Sequence, residues 1–149
     1  MVKSNMAYKG PFRPKNPQKY KGDPTKIIYR SLWELRMMRY FDSTDAVLEW
    51  SSEEVIIPYR SPKDRKLHRY FPDFVVKLKE ANGNINIVMI EVKPMVQTKE
   101  PINNPKHPRR YLKEVMTYGI NLAKWKAAQE FCADRGWQFK IFTEKEIGV

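Results

Sequence analysis

The segment INIVMIEVK, residues 85–93, constrains the fold more than any other stretch of the chain. It is apolar on both of its faces, and only a strand in the middle of a sheet, covered on either side, buries odd and even positions alike. The preceding segment RYFPDFVVKLK, residues 69–79, also reads as a strand, and the EANGN between them holds Asn82-Gly83, a strong hairpin signal. Together they predict an antiparallel pair in the sheet core. Asp73, Glu91 and Lys93 stand inside that pair. Ionised groups are costly to bury unless something pairs with them, so three of them at the end of a sheet core point to a site.

Around this pair the other elements follow from pattern. Residues 27–41 read as a helix, with Asp23-Pro24 or Thr25 as its start signal. Ile27, Glu34, Met37, Met38 and Phe41 share one stripe, which puts Glu34 on an apolar face. VLEW and EEVIIPYR read as short strands, and SPKDRKL as a charged hairpin loop. MVQTKEPINNPKHP is a proline-punctuated loop long enough to be functional. A long helix follows from Arg109, with a bend or break expected at Gly119 and a stop at Gly136. WQFKIFTE then forms a last strand. The order helix, three strands, helix, strand predicts an α/β fold around a four-stranded sheet.

At 149 residues the chain fits one domain with a self-sufficient core. Residues 1–25 differ in character: Pro11, Pro14, Pro17 and Pro24 block helix, and six Lys and Arg face only Asp23. They read as an extended basic arm ahead of a domain spanning 26–149. Tyr8, Phe12 and Tyr20 interleave with those charges, as in segments lying along a phosphate backbone or a partner surface. The single cysteine, Cys132, excludes an internal disulfide and a Cys-rich zinc site, and two histidines make a His-based one a poor fit. Without an apolar run of membrane-spanning length or a signal-peptide pattern, an intracellular soluble protein is expected, with no membrane partner. The net charge of +11 makes a polyanion the natural partner, and nucleic acid suits it better than a membrane surface.

Two carboxylates converging on one point form an oxygen-rich site suited to Mg²⁺ or a similar hard cation. Glu91 and Lys93 project to the same face of their strand, and the hairpin brings the Asp73 strand alongside. Asp73, Glu91 and the Val92 carbonyl would ligate the metal, with Glu34 assisting through water or binding a second ion. Lys93 would position or activate the attacking water and stabilise charge developing on a phosphoryl group. The alternative is a buried Glu91–Lys93 or Asp73–Arg69 ion pair with no chemistry.

Pro72-Asp73 followed by Glu91-Val92-Lys93 resembles the signature of the PD-(D/E)xK nucleases. Their core is restriction-endonuclease-like, α-β-β-β-α-β, and its first helix often donates a glutamate, which Glu34 matches. The pattern is similar to the TnsA-like branch. More narrowly, YKGPFRPKNPQKYKGDP, IIYRSLWE, WSSEEVIIPY and KLHRYFPDF resemble the head-completion nucleases of T-even-like tailed phages. The resemblance implies a Mg²⁺-dependent endodeoxyribonuclease, with Mn²⁺ as a substitute, in which Asp73, Glu91, Lys93 and Glu34 do the chemistry. It implies action on DNA ends, flaps or branches, phage head or neck proteins as partners, and a homodimer as one assembly. Its place would be the cytoplasm of the infected host cell, or the virion.

Further basic residues are candidate DNA contacts. Lys106, Arg109, Arg110 and Lys113 cluster at the start of the last long helix and could hold phosphates near the scissile bond. Arg30 lies one turn before Glu34 in the expected helix, and Arg69 precedes the Asp73 strand. Lys124 matches a basic residue that members of the family often carry on this helix, facing the cleft. His68 and His107 could act as general bases, but a Lys-assisted or two-metal scheme needs neither. Nothing resembles a base-reading helix, which favours recognition of DNA shape. The rival readings are a non-catalytic DNA-gripping protein of the phage head or neck, and a nuclease subunit active only within a transposition or restriction-type complex. An RNA-binding module is disfavoured, because the strands lack a paired aromatic platform.

Overall fold

The computed structural model describes residues 8–149. Its centre is a four-stranded sheet of β3 (Val47–Ser52), β6 (Phe74–Lys79), β7 (Ile85–Val92) and β8 (Gln138–Phe142), in that spatial order. The first two pairings are antiparallel, and β7 pairs with β8 in parallel. A parallel pair needs a long crossover, and α2 (Pro108–Arg135) supplies it. With α1 (Leu32–Ser43) ahead of β3, the core reads α-β-β-β-α-β, the mixed α/β arrangement expected.

The double burial of β7 is as its composition requires. Val88, Ile90 and Val92 enter one hydrophobic cluster with Trp33, Met38, Phe41, Trp50 and Phe74. Met89 enters the other, with Trp125, Ala128 and Cys132 of α2. Strand alternation therefore sends Glu91 and Lys93 to the α2 side.

The α1 boundary differs from the expected one. The helix starts at Leu32, capped by Ser31, whose hydroxyl accepts the Glu34 N–H at 3.1 Å. The earlier start signal is a local turn: Asp23 Oδ1 takes the Thr25 N–H at 2.9 Å and its hydroxyl at 2.6 Å. Asp and Thr make such turns as readily as they cap helices. Ile28–Tyr29 instead forms β2, paired with β1 (Gly10–Pro11), and Ile27 is buried from this extended segment rather than from a helix. Glu34 still shares a face with Met37, Met38 and Phe41.

Two further differences involve strands. EEVIIPYR contributes only β4 (Ile57–Arg60), which pairs with β5 (Leu67–Tyr70) as a separate hairpin against α2. The long strand expected over residues 69–79 is broken at Phe71-Pro72-Asp73, where buried Pro72 has no N–H to give a ladder. The SPKDRKL segment does turn the β4–β5 hairpin, and Asn82-Gly83 turns the β6–β7 hairpin with Gly83 at φ 87°. The long helix α2 runs unbroken through Gly119, a residue that costs a helix interior only ~1 kcal/mol. It ends as expected at Gly136, with φ 70°, where Trp137 N–H returns to Cys132 O at 2.8 Å. A short unforeseen helix, α3 (Glu144–Ile147), follows β8 and buries Ile147.

Residues 8–25 are mostly without regular structure apart from a 3₁₀ turn at Pro17–Lys19 and the Asp23–Thr25 turn, and Tyr20 bridges to Trp50 of the sheet. Phe12 and Tyr20, expected to face a phosphate backbone or partner, are instead buried edge-on against Trp50 at 5.8 and 4.8 Å. The Lys19 ammonium donates to the Phe41 and Thr44 carbonyls at 2.7 and 2.8 Å, capping α1. Buried Asp42 accepts the Lys15 and Asn16 N–H groups at 2.8 and 3.0 Å. Tyr8 is exposed, and Lys3 lies outside the described residues.

Candidate active site

The β6–β7 ladder pairs Phe74 with Ile90, so the next position beyond its end sets Asp73 opposite Glu91. Pro72 ends strand pairing there and leaves the Asp73 side chain to do what a backbone would have done. Its Oδ2 accepts the Val92 N–H at 2.7 Å. The Lys93 N–H points the other way, to Phe142 O of β8 at 3.0 Å. An extended residue projects its N–H and C=O to the same edge, so the Val92 carbonyl faces the Asp73 edge. Asp73, Glu91 and that carbonyl are brought together as the sequence reading expected.

Glu91 is only 5% exposed, and its Oε1 has no hydrogen-bond partner among the described residues. A buried polar atom left unpaired costs ~1–3 kcal/mol, and more when charged. Burial pushes the Asp73 carboxyl well above its ordinary value, and the charges of Glu91 and Glu34 push it further, against the Val92 hydrogen bond. Burial likewise raises Glu34. A carboxyl raised by burial and by two neighbouring carboxylates, beside a buried oxygen without a partner among the described residues, has the chemistry of a hard-cation donor set and not of an ion pair. Among the described residues, no three His, Cys, Asp or Glu side chains converge as a ready-made metal centre. Two carboxylates and a backbone carbonyl fit that finding. Neither the Glu91–Lys93 nor the Asp73–Arg69 ion pair forms among the described residues.

Lys124 also reaches this site. It is half-buried, with its ammonium 5.8 Å from the Tyr59 ring centre and 5.6 Å from that of Tyr70. Burial lowers its pKa, as does the nearby Lys93 charge, while Glu91 and Asp73 act in the opposite sense. Tyr70, which the sequence did not single out, is buried beside Glu91, and its hydroxyl is pushed upward by burial and by that carboxylate.

Glu53 is the second residue missed. It follows β3 in a left-handed conformation, φ 54°, and donates its N–H to Asp73 O at 3.2 Å. Its carboxylate holds Arg30 Nε at 2.8 Å. Arg30 is not one turn before Glu34 within a helix, because it precedes the Ser31 cap. Its backbone N–H nevertheless reaches Glu34 Oε1 at 3.3 Å. A non-glycine residue at positive φ is a sequence-silent signal, since nothing in EE marks one glutamate over the other.

The remaining basic candidates stand apart. Arg69 is exposed, its guanidinium 5.7 Å from the Phe71 ring centre. Lys106, Arg109, Arg110 and Lys113 are all exposed, and Arg110 pairs with Glu114 at 3.5 Å. At ~1.5 Å of rise per residue, Lys113 lies about 17 Å and Arg109 about 23 Å along α2 from Lys124. They lie on the N-terminal turns of α2, on the other side of Lys124 from the C-terminal half that packs on Met89. His68 is tied to Asp64 at 2.8 Å in the β4–β5 hairpin, and His107 precedes α2.

Residues 44–144 match the family described as TnsA-like endonuclease N terminal. The chain is 40% identical over 144 residues to the head completion nuclease of Enterobacteria phage T4, covering 93% of each. The matched span holds β3 through β8, including Asp73, Glu91 and Lys93, and its fold is restriction-endonuclease-like. The chain belongs to the TnsA-like endonuclease family.

Proposed function

We propose that this protein is a metal-dependent endodeoxyribonuclease that hydrolyses phosphodiester bonds, leaving 5′-phosphate and 3′-hydroxyl ends. The observation that carries the reading is the pairing of Asp73 with Glu91 around a buried, unpartnered carboxylate oxygen, with Lys93 and Lys124 beside it. Asp73, Glu91 and the Val92 carbonyl would hold Mg²⁺, or Mn²⁺ in its place, and Glu34 would contribute through water. The ion supplies a Lewis acid for the phosphate and a more acidic bound water.

The chain's own residues do the rest. Lys93, two residues beyond Glu91 on the same strand face, orients the attacking water and offsets charge on the phosphate. Lys124 is held by aromatic faces on the α2 side and offers a second ammonium to the leaving group's side. Val92 N–H fixes Asp73, so that carboxylate is held in place before any ligand arrives. The net charge of +11 draws DNA to the protein.

The 40% identical relative is a head completion nuclease of a phage. We infer the same setting here: DNA ends, flaps or branches as substrate, in the cytoplasm of an infected host cell or in the virion, with head or neck proteins as partners. No helix among the described residues is long and apolar enough to cross a membrane. The test is to incubate the protein with linear, flapped and branched DNA in Mg²⁺, in Mn²⁺ and in EDTA. Metal-dependent cleavage with 5′-phosphate ends is expected. Salt-sensitive binding without cleavage in any metal would favour a DNA-gripping protein instead.

A further inference from the structure

The pair formed by Arg30 and Glu53 has no role in the reading above. Glu53 holds Arg30 through Nε, and among the described residues no other side-chain hydrogen bond of Arg30 is made. Among those residues nothing engages either terminal nitrogen of the guanidinium, and the Arg30 side chain is half exposed. The same arginine is fixed at its backbone, where its N–H reaches Glu34 Oε1 at 3.3 Å. Glu53 is fixed in turn by its own N–H, bonded to Asp73 O at 3.2 Å, in a left-handed conformation that a glutamate rarely adopts. One short network therefore joins Arg30 and Glu53 to Asp73 and Glu34. Glu53 holds the Arg30 pKa up, and the charges of Glu34 and Asp73 act in the same sense.

A planar guanidinium gripped at Nε has its fork already aimed, and a fork of this kind matches two oxygens of a phosphate. An acidic side chain beside a DNA-binding site is otherwise a handicap, because it repels the backbone. We propose that Glu53 is a positioning residue: it holds Arg30 so that the free terminal nitrogens take the non-bridging oxygens of a phosphate entering the Asp73–Glu91 site. The proposal rests on the phosphodiesterase reading and adds to it a phosphate clamp built from two residues outside the Asp, Glu and Lys set.

The discriminating variants are Glu53→Gly, Arg30→Ala and the double variant. Glycine suits φ 54° better than glutamate, so Glu53→Gly keeps the backbone and removes only the carboxylate. Simple electrostatics predicts tighter DNA binding and undiminished cleavage once a negative charge is gone. Positioning predicts that kcat falls ~10-fold in Glu53→Gly although DNA binds at least as tightly. Arg30→Ala should lose ~100-fold in kcat, and the double variant no more than Arg30→Ala, because both act through one group. Unchanged kcat in Glu53→Gly, or additive losses in the double variant, would overturn the proposal. A second readout does not need cleavage. The ¹⁵N-resolved Arg30 side-chain signal should shift when a short DNA duplex is added to metal-free wild type, and not in Glu53→Gly. Equal shifts in both proteins would sink the clamp. If wild type cleaves nothing in any metal, the nuclease reading fails on its own, and the nitrogen signal still decides whether Glu53 aims Arg30 at phosphate.

Discussion

Asp73 is half-buried, opposite Glu91, and near Glu34, with Lys124 and Arg30 as the cations whose fields reach it. Burial and two like charges raise its pKa in the folded chain above the ordinary 3.8 of the unfolded one. Between those two values the folded protein binds more protons than the unfolded chain. The Asp73 contribution to stability without metal is therefore fully present below its unfolded value and is lost as pH rises through its folded titration. Glu34 is shifted in the same direction and adds to the slope. Thermal melts in EDTA should show this decline from about pH 4 towards neutrality. Asp73→Asn, which keeps an oxygen for the Val92 N–H, should flatten it, and Mg²⁺ should offset it in wild type alone. A melting temperature that rises over the same range would contradict this account of the carboxylates.

At the scale of elements, sequence and structure part where tertiary packing decides. The hairpin β6–β7 was legible because its composition, two-faced burial and Asn-Gly turn all agree, and these same features set Asp73 opposite Glu91. The start of α1 was not, because Asp23 and Thr25 look like a helix cap and are a closed local turn. Strand β4 and its hairpin loop were legible, but not the separation of that hairpin from the central sheet, which depends on the break at Pro72. Glu53 and Tyr70 were hidden for the same reason: one depends on a backbone angle, the other on a ring set beside Glu91 by the break at Pro72. The basic, proline-rich start of the chain conceals two core residues. Tyr20 is buried against Trp50, and its hydroxyl accepts the Ser52 N–H at 3.2 Å and has the Glu54 carboxylate as an acceptor at 3.1 Å. Tyr20→Ala should then destabilise the fold by ~3 kcal/mol, read as a lower denaturant midpoint with little change in slope. A cost below ~0.5 kcal/mol would mean that this segment is an accessory.

Across the whole molecule, charge and chemistry occupy different places. The carboxylates, Lys93 and Lys124 gather at one end of the sheet, whereas Arg109, Arg110 and Lys113 are strung along α2, about 17–23 Å from Lys124 by helical rise. Such a spacing suits phosphates several nucleotides from the one being attacked. Replacing Arg109, Arg110 and Lys113 by Ala should reduce the slope of log affinity against log salt by ~0.9 for each phosphate no longer neutralised. Saturating kcat should stay within about twofold, because charges of this kind position the DNA and act equally in ground and transition states. A collapse of kcat with an unchanged salt slope would place these residues in the chemistry.

The central claim is that Asp73, Glu91 and Lys93 form a hydrolytic site, and Lys93 is its most economical test. Lys93→Ala removes the ammonium and leaves the two carboxylates and the Val92 carbonyl in place, so metal binding and the fold should persist. The measurement is cleavage of linear, flapped and branched DNA by wild type and Lys93→Ala, at low salt, in Mg²⁺ and in EDTA, with binding followed in parallel. The account predicts Mg²⁺-dependent cleavage by wild type that falls at least ~100-fold in the variant, with DNA affinity within a few-fold. Equal cleavage by both proteins, or none by either despite tight binding, would contradict it.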